Sequence, residues 1–108
     1  TERGSTFGYN NLVVDFRGML IMKKMGYPVI YDVTHSLQQP SIGKISGGTP
    51  EFVPYMAKAG LSLGIAGLFI ETHPNPEKAL SDAKSMIALD KFIDELDNFV
   101  KIDEAVKN

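Results

Sequence analysis

Pro28-Val29-Ile30-Tyr31-Asp32-Val33-Thr34-His35-Ser36, answered downstream by Gly67-Leu68-Phe69-Ile70-Glu71-Thr72-His73-Pro74, is the pair of stretches from which the architecture of this chain can be read. Each half is apolar and rich in β-branched residues, as a strand buried on both faces must be. Each then stops abruptly in polar, metal-capable side chains. A buried parallel strand delivers chemistry at its carboxyl end in this way, so the two runs predict parallel strands that share one site.

The flanking segments support alternation of strand and helix. Asn11 to Met25 carries Leu12, Phe16, Met19, Leu20 and Met22, then Lys23-Lys24 before Gly26, which predicts a short extended lead followed by a helix stopped at glycine. Met19, Met22 and Met25 read as core filler at a helical period. Ser36 to Thr49, rich in Gln, Pro, Gly and Ser, reads as a long, polar, mobile loop. Thr49-Pro50-Glu51 opens a helix, with Thr at the cap, Pro where its missing N–H does no harm and Glu near the positive helix end. That helix is expected to run to about Gly64. The second strand covers Gly67 to Glu71, Pro74-Asn75-Pro76 forces a turn, and a short helical stretch starts near Glu77. Phe92, Ile93, Leu96, Phe99, Val100 and Val106 then recur at helical spacing, giving a terminal amphipathic helix whose stripe needs a core to cover; the acids after Asp90 are its solvated face.

The expected fold class is therefore α/β with parallel strands. Two strands make a poor parallel sheet, because each lies near an exposed edge. Thr1 to Arg3 can supply the tail of a third, with Arg3 at its carboxyl end as His35 and Glu71 are at theirs. The chain reads as truncated and as part of a (β/α)8 barrel, in which polar residues at strand ends point into the active site.

Composition narrows the function. The chain has 108 residues, 44% hydrophobic and 22% charged, and a net charge of −2, values of a globular protein. Its eleven Lys and Arg are scattered, Lys23-Lys24 being the one adjacent pair, so no basic stripe is available to neutralise nucleic-acid phosphates. No apolar run approaches the roughly 18 to 20 residues of a membrane span. Cysteine is absent, which permits a reducing cytoplasm, the expected location.

His35, Glu71 and Asp82 are one nitrogen donor and two carboxylates, a set suited to a divalent metal with open positions for water or substrate. The bare pattern is weak, and by itself it favours a hydrogen-bonded structural role for each residue over metal binding. His73, between Thr72 and Pro74, is better read as a brace for the turn than as a second ligand. Asp32, within the strand and on the same face as Thr34, is placed to orient a neighbour rather than to react. Arg3 beside Gly4 can clamp a phosphate or carboxylate through its planar guanidinium, or form a surface salt bridge. Gly43, Gly47 and Gly48 match neither a P-loop nor a dinucleotide fingerprint and supply loop flexibility.

Three ordered motifs carry a resemblance that outweighs these patterns. Glu2-Arg3-Gly4-Ser5-Thr6-Phe7-Gly8-Tyr9-Asn10-Asn11, Tyr31-Asp32-Val33-Thr34-His35-Ser36-Leu37-Gln38-Gln39-Pro40 and Glu71-Thr72-His73-Pro74-Asn75-Pro76-Glu77-Lys78-Ala79-Leu80-Ser81-Asp82 resemble the 3-deoxy-D-manno-octulosonate 8-phosphate synthases, and the likeness spans essentially the whole chain. The resemblance implies that residues 1–108 are one part of a single TIM-barrel domain, from the end of the sixth strand through the eighth helix, with strands one to five absent. It implies an aldol-type condensation of phosphoenolpyruvate with D-arabinose 5-phosphate and water, releasing phosphate and making a precursor of bacterial lipopolysaccharide, in a homotetramer without an organic cofactor. By the same resemblance Arg3 holds the phosphate of phosphoenolpyruvate, and Asn10 and Gln38 touch substrate. His35 and Asp82 are implied as catalytic. His35, Glu71 and Asp82 match three of the four metal ligands of metal-dependent members; the fourth is a first-strand cysteine, asparagine in metal-independent members. In metal-free relatives these side chains would act by hydrogen bonding and charge. One departure is Asp82-Ala83-Lys84-Ser85, where family members commonly have Gly-Pro after the aspartate.

The alternative within enzymes is 3-deoxy-D-arabino-heptulosonate 7-phosphate synthase, which shares an Arg-Gly motif, a strand-end His and a Glu-x-His-Pro segment. Phe7-Gly8-Tyr9-Asn10-Asn11 and Leu37-Gln38-Gln39-Pro40 favour the first reading. A non-catalytic scaffold made of this segment alone would be stable and monodisperse. The isolated piece is expected instead to aggregate or stay unfolded.

Overall fold

The structure, a computed structural model, describes residues 1–6, 11–39, 47–80 and 83–108. Along the chain run β1 (Ser5–Thr6), β2 (Leu12–Val13), α1 (Phe16–Lys24), β3 (Ile30–Asp32), β4 (Gln38–Gln39), β5 (Gly47–Gly48), α2 (Val53–Leu61), β6 (Gly67–Phe69), β7 (Thr72–His73), β8 (Ile87–Ala88) and α3 (Leu89–Lys107). The class is mixed α/β, as expected.

The two quoted stretches pair in parallel, Ile30 against Gly67, Tyr31 against Leu68 and Asp32 against Phe69. The third strand tail is present as well. Glu2 bridges Tyr31 in parallel, its N–H donating to the Ile30 carbonyl at 3.0 Å while its carbonyl accepts from the Asp32 N–H at 2.8 Å. β3 is thus central, and three parallel segments end on one side of the molecule.

Alternation sorts β3 into two faces. Tyr31 and Val33, both fully buried, face the helices. The Tyr31 ring meets Phe16 edge-on at 6.1 Å and lies so close to Gly60 that a Cβ there would overlap it. α2 therefore seats on β3 at a position where only glycine fits. The core continues through Met19, Val29, Val53, Ala57, Leu61, Ile65, Ile87 and Phe99. Asp32 and Thr34 project to the opposite face and are buried there.

Local signals account for the helix ends. Asp15 caps α1 by accepting the Gly18 N–H at 2.8 Å, Lys23 and Lys24 occupy the last turn, and Gly26 takes the positive φ of +91° that stops it. Met19 is buried and Met22 packs against the core, but Met25 is 67% exposed, correcting the expectation for it. At 100° per residue Met25 is rotated about 120° from Met19, off the buried face.

Thr49 departs from the capping expectation too. Its hydroxyl makes no cap bond and donates to the Leu37 carbonyl at 3.2 Å. A 3-10 turn, Pro50–Phe52, precedes α2, which ends at Leu61 rather than near Gly64. The stretch read as one long loop is pinned at both described ends, by a 3-10 turn at His35–Leu37 and by antiparallel pairing of Gln38 with Gly48 and Gln39 with Gly47; Gly43 lies outside the described residues. Near Glu77 the helical stretch is a 3-10 turn, Pro76–Lys78. α3 buries Phe99, half-buries Phe92 and is tied to α2 by a Lys58 Nζ to Glu95 Oε2 contact of 3.0 Å. Ile93, Leu96, Val100 and Val106 of its stripe stay exposed.

Candidate active site

Each parallel segment delivers a polar group where its ladder ends. After Asp32 the chain turns, Thr34 taking helical dihedrals, and the His35–Leu37 turn begins. Asp32, buried to within 7% of full coverage, holds this turn with both carboxylate oxygens. Oδ1 accepts the His35 backbone N–H at 2.9 Å, and Oδ2 lies 2.7 Å from His35 Nδ1. An ionised carboxylate can only accept, so the ring nitrogen facing it donates. Asp32 orients its neighbour, as its position in the strand suggested.

The other imidazole nitrogen, Nε2, lies 3.5 Å from Glu71 Oε1. Glu71 comes two residues after β6, and its placement depends on β3. The Glu71 N–H donates to Thr34 Oγ1 at 2.7 Å, so a side chain takes over where the expected strand loses its ladder and β6 ends at Phe69. This role of Thr34 was missed in the sequence. Its signal was a buried hydroxyl residue next to the strand-end histidine, between two strands that were themselves foreseen. The Phe69 ring, 5.9 Å from the imidazole, forms one wall.

Ser36 is buried and its hydroxyl donates to the Val33 carbonyl at 3.4 Å and towards Tyr31 Oη at 3.5 Å. Burial pushes the Tyr31 phenol above its usual value, so it stays neutral at physiological pH.

Arg3 is exposed directly after the Glu2 bridge. Its neighbour Gly4 adopts φ +94°, and a Cβ there would sit 3.2 Å from Ser36 Cα. The Arg3 segment thus abuts the turn that carries His35. Gln38 is half-buried at the end of that turn, where its N–H donates to the His35 carbonyl, and lines a cleft of about 120 Å3 with Asn11, Leu12, Leu37, Thr49 and Phe52. Asn10 and Asp82 lie outside the described residues. His73 is the expected brace. Its Nδ1 accepts the Asn75 N–H at 2.9 Å, while β7 pairs in parallel with β8.

The arrangement can be tested for a metal. With Nδ1 committed to Asp32, Nε2 and Glu71 Oε1 present two acceptors to each other. Their 3.5 Å separation suits two ligands of one divalent ion bound at about 2.0–2.2 Å each. Among the described residues no group of three His, Cys, Asp or Glu side chains is assembled for a metal, so a further protein ligand would come from beyond them.

The whole chain, residues 1–108, matches the DAHP synthetase I family. Among curated proteins, the 2-dehydro-3-deoxyphosphooctonate aldolase of Paraburkholderia phymatum is 51% identical over 107 residues, which cover 98% of this chain and 38% of that protein. The protein of the same name from Dechloromonas aromatica is 52% identical over 107 residues, with the same coverage, and that of a Cyanothece species is 58% identical over 90 residues, 82% of this chain and 33% of its own. Among solved structures, the phospho-2-dehydro-3-deoxyheptonate aldolase (DAHP synthase) of Thermotoga maritima superposes with a TM-score of 0.80 at 30% identity, over 97% of this chain and 29% of that one. The chain spans less than two fifths of the length of the curated relatives it matches.

Proposed function

This chain belongs to the DAHP synthetase I family, and from that membership we propose that it carries the metal- and phosphate-handling part of a synthase that joins phosphoenolpyruvate to D-arabinose 5-phosphate. The resemblance to 3-deoxy-D-manno-octulosonate 8-phosphate synthases is borne out by the curated relatives, whose names describe the same eight-carbon sugar acid phosphate. Identity of 50–52% over 98% of the chain is the observation that carries the choice of product. The heptulosonate enzyme of Thermotoga maritima stands at 30%.

The matched segment corresponds in this reading to the last part of a (β/α)8 barrel, with the three parallel segments as its sixth, seventh and eighth strands. Two features support that placement. β6 lies at the edge of its sheet among the described residues, and beside it runs an apolar groove of about 420 Å3 lined by Leu61, Leu68, Phe92, Leu96 and Phe99. Earlier strands of the same barrel would cover this face.

The reaction forms a carbon–carbon bond between C3 of phosphoenolpyruvate and the aldehyde carbon of the pentose phosphate. Water adds at C2, and phosphate departs from C2. Arg3 would bind the phosphate of phosphoenolpyruvate by a bidentate contact. Asn10 and Gln38 would orient substrate. His35, Glu71 and Asp82 would hold a divalent ion, which when bound supplies Lewis acidity toward water or the aldehyde oxygen. In the metal-free form of this reading His35 and Asp82 would instead act at the reacting oxygens by hydrogen bonding and charge, inside a barrel mouth where exclusion of water strengthens each charge. This reading includes no organic cofactor, because phosphoenolpyruvate itself supplies the nucleophilic enol carbon. Assembly as a homotetramer and a cytoplasmic location belong to the same proposal; among the described residues no helix is long and apolar enough to cross a membrane.

The test is phosphate release by the protein at its full natural length from phosphoenolpyruvate, comparing arabinose 5-phosphate with erythrose 4-phosphate, each with and without a chelator. Turnover with the pentose phosphate is expected. Chelator-sensitive turnover restored by a divalent ion upholds the metal role, chelator-resistant turnover overturns it, and turnover with the tetrose alone assigns the chain to the heptulosonate branch.

A further inference from the structure

Asp32 has a buried, two-point attachment to His35 that no catalytic step above uses. We propose that Asp32 is a positioning residue that fixes the proton of His35 on Nδ1 and thereby presents the Nε2 lone pair to Glu71, making that pair a cation-binding jaw.

The geometry makes the assignment specific. Oδ1 of Asp32 accepts the His35 backbone N–H at 2.9 Å, a donor that cannot be reversed. Oδ2 sits 2.7 Å from Nδ1. Asp32 is buried at the end of β3, and the two bonds of its carboxylate to one residue fix the orientation of that carboxylate toward His35. The ring proton therefore resides where the second oxygen accepts it, and Nε2 is left as a donor of electrons 3.5 Å from Glu71 Oε1. Outer carboxylates commonly orient metal-binding histidines in this manner. Here the same aspartate also shapes the turn, so ring orientation and tautomer are set together.

An inversion follows for Asp32→Asn. The side-chain oxygen must stay with the backbone N–H, because only an oxygen can accept from it. The amide nitrogen is then turned toward His35 Nδ1 and can only donate. The imidazole is forced to accept at Nδ1 and to carry its proton on Nε2, which blocks the face toward Glu71. An asparagine in place of a triad aspartate is known to hold a histidine in the wrong tautomer by the same logic.

The experiment is 15N NMR of histidine-labelled protein at its full natural length, without metal, at a pH where the imidazole is neutral, with the His35 signals identified by their loss in His35→Gln. Expected are a protonated Nδ1 and an unprotonated Nε2 in the wild type, with the two exchanged in Asp32→Asn. Titration with Mn2+ alone should then show affinity about 10- to 100-fold weaker in the variant. A wild-type ring protonated on Nε2, or on both nitrogens, overturns the proposal even if Asp32→Asn does not fold. An unchanged tautomer in the variant overturns it as well. Exchanged tautomers with no Mn2+ binding by either protein uphold the role of Asp32 and refute the metal role of the site, so the two readings fail separately.

Discussion

Replacing Thr34 by valine removes the side-chain bond by which the first strand end holds Glu71 of the second. Thr34 is fully buried, and its Oγ1 accepts the Glu71 N–H at 2.7 Å across 37 residues of sequence. Valine has the same branched shape, so no cavity forms, but the Glu71 N–H loses its acceptor. Leaving a buried donor unsatisfied costs about 1–3 kcal/mol. Glu71 is half-buried, so water can partly replace the hydroxyl and the lower half of that range, about 1–2 kcal/mol, is expected. Thr34→Ser is the complementary change. It keeps the acceptor and deletes one buried methyl, which costs about 1 kcal/mol for transfer plus the small void left behind. Stability therefore falls to a similar degree in both, read as the shift in urea midpoint, whereas the site responds to one alone. Freed from Thr34, Glu71 shifts relative to His35, and displacements near 1 Å can cost on the order of 100-fold in turnover. Thr34→Val should thus lose turnover well beyond its loss of stability, and Thr34→Ser should keep it. Wild-type turnover in Thr34→Val together with impaired turnover in Thr34→Ser would show that the methyl, not the hydroxyl, organises the site.

Three further outcomes are expected. Gly60→Ala would gain about 0.5–1 kcal/mol of helix propensity, but its Cβ meets the buried Tyr31 ring. Overpacking of about 1–3 kcal/mol outweighs that gain, so denaturation should show a net loss; a stabilised variant would mean that α2 does not rest on Tyr31. Tyr31→Phe should flatten the alkaline limb of stability. The folded pKa of Tyr31 is raised above 10.0 by burial, so its contribution is complete below the unfolded pKa and declines as pH rises through the folded one; equal alkaline limbs in wild type and variant would contradict this. His35→Gln and Glu71→Gln should each lower turnover by at least the roughly 10- to 100-fold that follows loss of a group merely supporting a metal ligand, while circular dichroism stays unchanged; near-normal turnover in either would remove that residue from the site.

The strand, turn and helix signals were legible because they depend on neighbours in sequence. The apolar run of Pro28 to Ser36 and the glycine stop at Gly26 are read within a few residues, and both reappear in the structure. The strand-end positions of His35 and Glu71 follow from the same runs. Departures occur where a distant group competes. Thr49 lost its cap role because the Leu37 carbonyl, twelve residues away, takes its hydroxyl. The second strand stops early because Thr34 takes the Glu71 N–H. Met25 is a different case, because the local helix period alone carries it off the buried face.

From sequence one can know that two parallel strands exist and that each ends in a polar group able to hold a proton or a metal, since strand character and side-chain chemistry are properties of short segments. Three-dimensional pairing alone establishes that Glu2, Tyr31 and Leu68 lie side by side, that Nε2 of His35 and Oε1 of Glu71 meet at 3.5 Å, and that Asp32 and Thr34 hold them there. Those contacts join residues up to 37 positions apart, and their geometry is set by the register and packing of the whole sheet against α2, which no local pattern contains.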